Sequence, residues 1–182
     1  MGRDFVYFDL ESQRTANDVG GWGNKEKMGM SVGVTYSSEL GKYQIFDEAS
    51  VDGLIDQLVK ADVVVGYNHI SFDYAVLQGY TAWDIGSQAV SLDLMVEIEK
   101  ELGHRLKLEA VASASLGAGK TADGLDAIKW WQEGKMMQIA EYCCYDVKVT
   151  KEVHEYGVRN GHVKYEDKFG NIKEVVVNWT LD

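Results

Sequence analysis

Phe5-Val6-Tyr7-Phe8-Asp9-Leu10-Glu11 is a β-rich run that closes on acids, the pattern of a core strand whose end reaches a cleft. Residues i and i+2 of a strand share a face, so Asp9 and Glu11 point the same way and can address one metal ion. Outward from this run, Met30 to Ser37 and Lys42 to Phe46 are two further strands with Gly41 in the turn between them, giving a three-stranded antiparallel meander. Ser12 to Lys27, which includes Gly20-Gly21-Trp22-Gly23, is a polar stretch long enough to be a functional loop.

Val51, Leu54, Ile55 and Leu58 recur at helical spacing within Ser50 to Lys60, with Ser50 as N-cap. Asp62 to Gly66 is a short Val-rich run of the kind buried in parallel sheets, so the helix between the strands implies a right-handed crossover. Helices follow at Phe72 to Gln78, Leu94 to Glu101, Leu106 to Leu116, Leu125 to Glu133 and Met136 to Tyr156, the last ended by Gly157 or Gly161, with a short strand at Ala89 to Leu92. The tail, Val163 to Tyr165 and Val175 to Trp179 around a Lys168-Phe169-Gly170-Asn171 turn, is a β-hairpin. The expected fold class is α/β: a mixed sheet of antiparallel meander plus parallel strands, flanked by helices, with the hairpin (161–182) appended to a domain spanning 1–160.

The chain has 182 residues and 46% apolar content, enough for a substantial core. No apolar run approaches the roughly 20 residues of a membrane helix, and the opening residues lead straight into a strand pattern, so a cytoplasmic location and no membrane partner are expected. The only cysteines, Cys143 and Cys144, are adjacent within a helical pattern, which argues for a reducing compartment; without a CxxC pair or a spaced Cys/His set, zinc is not expected. A formal charge of −11 excludes a broad basic clamp on nucleic acid. It is compatible with an enzyme gripping one strand end through metals and a few local cations, for which Arg105, Lys107, Lys120 and Lys129 are candidates beside their plainer reading as solvated charges.

Two more acid-bearing segments complete the constellation. Asn68-His69-Ile70-Ser71-Phe72-Asp73 follows the Val-rich strand, where Phe72 anchors a turn and Asp73 faces the cleft. In Tyr142-Cys143-Cys144-Tyr145-Asp146, Tyr142 and Asp146 are one helical turn apart on one face. Any one of these acids alone is most simply a solvated charge or a cap; four of them beside apolar strand ends, without matching bases, call for divalent cations. Asn68 is either an ordinary turn residue or a substrate contact, His69 a partly exposed turn residue, and Asp93 a cap or ion-pair partner. Trp22 can stack on a base, although packing onto the sheet is its expected fate, and of Trp130 and Trp131 one ring should be anchored and the other partly exposed. Gly119-Lys120-Thr121 imitates the end of a phosphate loop, but Ala114 stands where its first glycine belongs and a helix precedes it.

Asp-x-Glu on the first strand, Asn-x-x-x-Phe-Asp after the fourth and Tyr-x-x-x-Asp on the last long helix together resemble the DEDD superfamily of 3′–5′ exonucleases, in its tyrosine-bearing branch. The resemblance runs from about Phe5 to about Glu155 and includes Leu106-Lys107-Leu108-Glu109-Ala110-Val111-Ala112. It implies a ribonuclease H-like fold and two magnesium or manganese ions bound by Asp9, Glu11, Asp73 and Asp146. It also implies that Tyr142 orients the attacking water and that the substrate is the 3′ end of single-stranded or frayed nucleic acid. Asn68, Phe72, Trp22 and Lys120 are the candidate substrate contacts. A polymerase or helicase partner would be a separate protein. The alternatives are a catalytically silent binding module of the same fold and a nuclease acting on RNA or a small phosphoester.

Overall fold

The computed structural model describes residues 2–119 and 122–180. Its centre is a five-stranded sheet made of β1 (Phe5–Ser12), β2 (Met30–Ser37), β3 (Lys42–Asp47), β4 (Val63–Gly66) and β5 (Ser91–Asp93), in the order β3-β2-β1-β4-β5. The first three form the antiparallel meander; β4 joins β1, and β5 joins β4, in parallel. Helices α1 (Val51–Lys60), α2 (Asp73–Leu77), α3 (Ile85–Gln88), α4 (Leu94–Leu102), α5 (Leu108–Leu116), α6 (Gly124–Gln132) and α7 (Met136–Asn160) flank it, and β6 (His162–Glu166) pairs with β7 (Ile172–Val176) in the terminal hairpin.

Strand alternation divides the core in two. Val6, Phe8 and Leu10 face Leu54 and Leu58 of α1 together with Tyr74, Val76 and Leu77 of α2. Tyr7 faces the other way, into a larger cluster with Val111 of α5 and Ile139, Cys143, Val147 and Val153 of α7. Full burial of each such aliphatic chain stabilises the fold by roughly 1.5–3 kcal/mol. The buried residues of α7 recur every three or four positions, and this stripe lays the helix across β1 and β2. Asp9 and Glu11 share the face of Tyr7, so they look toward α7.

Several elements differ from the sequence expectation. The Ser12 to Lys27 stretch contains 3-10 turns at Asn17–Val19 and Trp22–Lys27, and α3 is a one-turn helix too short to carry an apolar period. Gly161, in the left-handed region at φ 71°, ends α7, whereas Gly157 lies inside it. A Cβ on Gly157 would stand 2.4 Å from the Trp179 ring, so this glycine lets the indole seat on the helix. The second hairpin strand therefore stops at Val176, and Trp179, read as part of that strand, leaves the ladder to be buried on α7 beside His154.

Candidate active site

The parallel pairing of β1 with β4 covers only Phe5 to Tyr7, whereas β1 runs on to Ser12. Asp9 and Glu11 thus stand beyond the carboxyl end of β4, at the crevice where open α/β sheets place their ligands. The register with β2 shifts between Glu11 and Ser12, and an irregularity of this kind re-aims a side chain at a strand end. The overhang also frees the Leu10 N–H from a strand partner on that side, and it donates to the Asp73 carboxylate at 3.0 Å. That bond brings the first residue of α2 to the two strand acids.

The turn before α2 is held by Asp93. Its carboxylate caps α4 by accepting from Met95 and Val96, and it accepts the Asn68 N–H at 2.8 Å and the Ile70 N–H at 3.1 Å. Asn68 occupies the left-handed region at φ 63°, which an asparagine tolerates better than most residues. His69 is fully buried, not partly exposed as expected: its ring meets Tyr74 edge-on at 5.0 Å and lies so close to Gly66 that a Cβ there would be 2.7 Å from it. Burial lowers the His69 pKa to about 4, so the ring is neutral at physiological pH.

From α7, Tyr142 and Asp146 reach the same cluster, near enough for each to shift the other's protonation. Trp130 of α6 packs edge-on against Tyr142 at 6.0 Å, and Trp130 and Trp131 are both half-buried. Burial is the first cause of every carboxyl shift here. It raises Asp9 well above the carboxylate range, helped by the charges of Asp73, Glu11 and Asp146, and raises Glu11 likewise beside Asp146 and Asp73. Asp73 is pushed up to about 8, and Asp146 to about 6 against the opposing hydrogen bond from Tyr142. Burial, then the neighbouring carboxylates, drives the Tyr142 phenol far above its ordinary value, so it stays protonated. Among the described residues, no lysine or arginine ion pair reaches these acids. Divalent cations fit this donor set: crowded oxygens with no counter-charge are what hard ions select.

Beside Glu11 opens a cavity of about 550 Å³ whose walls include Trp22, Phe72, Leu125 and Ile128. Trp22 is 67% exposed, correcting the expectation that it packs on the sheet; its ring touches Phe72 edge-on at 6.4 Å. The Lys25 ammonium donates to the Ser71 carbonyl at 2.8 Å, tying the Trp22 turn to the segment that carries Asp73. A second groove, shared by Trp22, Asn68, Phe72 and Arg105, continues from it. Of the basic candidates, Arg105 lies on that groove, paired with Glu99, while Lys107 precedes α5 and Lys129 is exposed on α6. Lys120 lies outside the described residues.

Three residues escaped the sequence reading. Cys143 projects into the cluster, Glu109 of α5 lines a small cavity with Asp146, and exposed Leu125 faces Trp22 across the groove. For Cys143 a signal existed, because it neighbours Tyr142 on the inward face of α7; Glu109 and Leu125 carry none without the helix packing.

A mixed sheet with buried carboxylates at the end of its first strand, joined by acids from two helices, defines a ribonuclease H-like architecture. The model of the RNase H superfamily matches residues 6–158, and the chain belongs to that superfamily. No curated protein matches it in sequence. Among solved structures it is similar to the family B DNA polymerase from the hyperthermophilic archaeon Pyrobaculum calidifontis, with a TM-score of 0.64 and 18% identity over 87% of this chain and 25% of that one. At that identity the likeness is one of fold, and this chain spans about a quarter of the polymerase's length.

Proposed function

We propose that this chain is a metal-dependent 3′–5′ exonuclease of the tyrosine-bearing DEDD branch, hydrolysing single-stranded or frayed nucleic acid to nucleoside 5′-monophosphates. One observation carries the reading: Asp9, Glu11, Asp73 and Asp146 are crowded together without basic partners among the described residues, beside an open groove walled by Trp22 and Phe72. These four acids would hold two magnesium or manganese ions. When bound, such ions generate hydroxide from water at neutral pH and stabilise the departing 3′ oxygen of a phosphodiester.

The chain's own residues supply position. Asp9 and Glu11 are fixed by the rigid central strand and Asp73 by the Leu10 N–H. Tyr142, protonated at neutral pH, is a hydrogen-bond donor rather than a base, so its contribution is to orient the nucleophile. Trp22, Phe72 and Leu125 offer apolar faces to a terminal base, and aromatic platforms of this kind accept any base. Asn68 and Arg105 extend the path away from the acids. The polymerase similarity in fold is consistent with a nucleic-acid substrate.

The test is digestion of matched 5′-labelled DNA and RNA strands and of a covalently closed circle, with magnesium, manganese or excess chelator. A stepwise ladder from the linear strands, nucleoside 5′-monophosphate release and no cutting of the circle are expected. Undiminished cleavage in chelator would overturn the metal mechanism, circle cutting would overturn the exonuclease polarity, and inertness with both metals would identify a silent binding module.

A further inference from the structure

Cys143 is used by none of the chemistry above, yet it is fully buried and its Sγ lies 3.4 Å from the Asp9 carbonyl and 3.5 Å from Asp9 Oδ2. Its sulfur, a carboxylate oxygen of Asp9 and one of Glu11 all lie within 4.8 Å of one another. An independent observation points into the same space: Glu11 is only 8% exposed, and its carboxylate accepts no hydrogen bond among the described residues. This largely buried, unpartnered side chain lines the cavity, where a ligand can reach it.

We propose that Asp9, Glu11 and Cys143 form a mixed oxygen–sulfur site for a thiophilic divalent cation of the zinc and cadmium class. Three protein ligands with one open position are the tetrahedral set such ions adopt. Sulfur adds affinity for a borderline or soft ion and nothing for magnesium, so Cys143 biases a site of hard acids toward the wrong metal for its chemistry. As the metal–sulfur bond forms, the thiol proton passes to the buffer. The site therefore binds zinc or cadmium in place of magnesium at Asp9 and Glu11, and bound zinc inhibits; this last step rests on the nuclease reading. The spacing rules that argue against zinc concern ligands from one segment, whereas 134 positions separate this sulfur from Asp9.

The experiment titrates the purified chain with cadmium and follows the ultraviolet charge-transfer absorption of a cadmium–thiolate bond. The band is expected in the parent and in Cys144→Ser, absent in Cys143→Ser, and shifted to higher cadmium by excess magnesium. Cys143→Ser keeps a hydroxyl to donate to Asp9, and circular dichroism melting establishes that it is folded. In parallel, zinc should inhibit magnesium-supported cleavage, with a midpoint about tenfold or more higher in Cys143→Ser, each protein normalised to its own uninhibited rate. A band that survives in folded Cys143→Ser, or that disappears in Cys144→Ser, overturns the site. A band without any magnesium-supported cleavage supports the ligand set and counts against the nuclease reading; cleavage without a band overturns the ligand set alone.

Discussion

Tyr142 and Asp146, one helical turn apart on α7, carry part of the proposed chemistry. The phenol lies beside the carboxylate and stays protonated because burial and three neighbouring acids oppose its ionisation. Removing only that oxygen in Tyr142→Phe should leave folding intact, since the ring keeps its edge contact with Trp130. Cleavage should slow by roughly 10²–10⁴-fold, the span for losing a positioned catalytic group. Single-turnover rates at saturating magnesium decide it, and a loss under about threefold would remove Tyr142 from the mechanism. The buried acids have the opposite relation to stability: each is repelled by the others when charged. Asp9→Asn should therefore abolish cleavage while raising the metal-free melting temperature, by about 2–4 °C for each kcal/mol of repulsion relieved. A metal-free melting temperature that falls in this variant would show that the carboxylate is stabilising as it stands.

Among the elements, the turn from β4 into α2 depends on one carboxylate at the end of β5. Asp93 caps α4 and also accepts from two N–H groups of the Asn68–Ile70 segment. Asp93→Ala removes the cap, at a cost of about 0.5–2 kcal/mol, and loosens the segment that delivers Asp73. Magnesium affinity should fall about 10–100-fold although Asp93 is no proposed ligand, a change that isothermal titration measures. Across the groove, the 3-10 turn that presents Trp22 is tied to the same segment by Lys25. If the exposed indole stacks on a base, Trp22→Ala should weaken single-strand binding by about 1–3 kcal/mol in a fluorescence anisotropy assay with magnesium replaced by calcium. Unchanged affinity would leave Trp22 as a wall residue without a binding role.

Across the whole molecule, the site's electrostatics set how stability depends on pH and metal. Asp73, at about 8 against an ordinary 3.8, and Asp146, at about 6, bind protons more tightly folded than unfolded. Their contribution is complete below the unfolded values and is lost as pH rises through the folded ones, so the metal-free protein should lose stability between about pH 4 and about pH 8. Carboxylates whose values are lowered, such as Asp18, Asp47 and Asp167, lie on the surface and titrate below that window. In the proposed mechanism magnesium would bind the deprotonated acids of the folded state alone, so the gap between loaded and chelated melting temperatures should widen with pH. Thermal melts at several pH values, each with magnesium or chelator, check this; a constant gap would mean that the acids are not the ligands.

The sequence by itself determined the layers and which faces the candidate site residues share. Alternation placed Asp9 and Glu11 on one face, the Val-rich run marked a buried parallel strand, and i, i+4 spacing stacked Tyr142 with Asp146, because each of these patterns has a period set by the local backbone. Only the tertiary structure decided what lies between distant segments. The pairing of β1 with β4 stops at Tyr7, and this overhang, invisible in either strand alone, is what leaves Leu10 free to hold Asp73. The exposure of Trp22, the burial of His69 under Gly66, and the docking of Trp179 on Gly157 each follow from which backbone comes close enough to need a missing Cβ or to leave a ring in solvent. Cys143 carries the same lesson into the site: its helix face was legible, but its contact with Asp9 arises only when α7 crosses the sheet. Local periodicity determines which way a side chain points; packing between segments far apart in the chain determines what it meets.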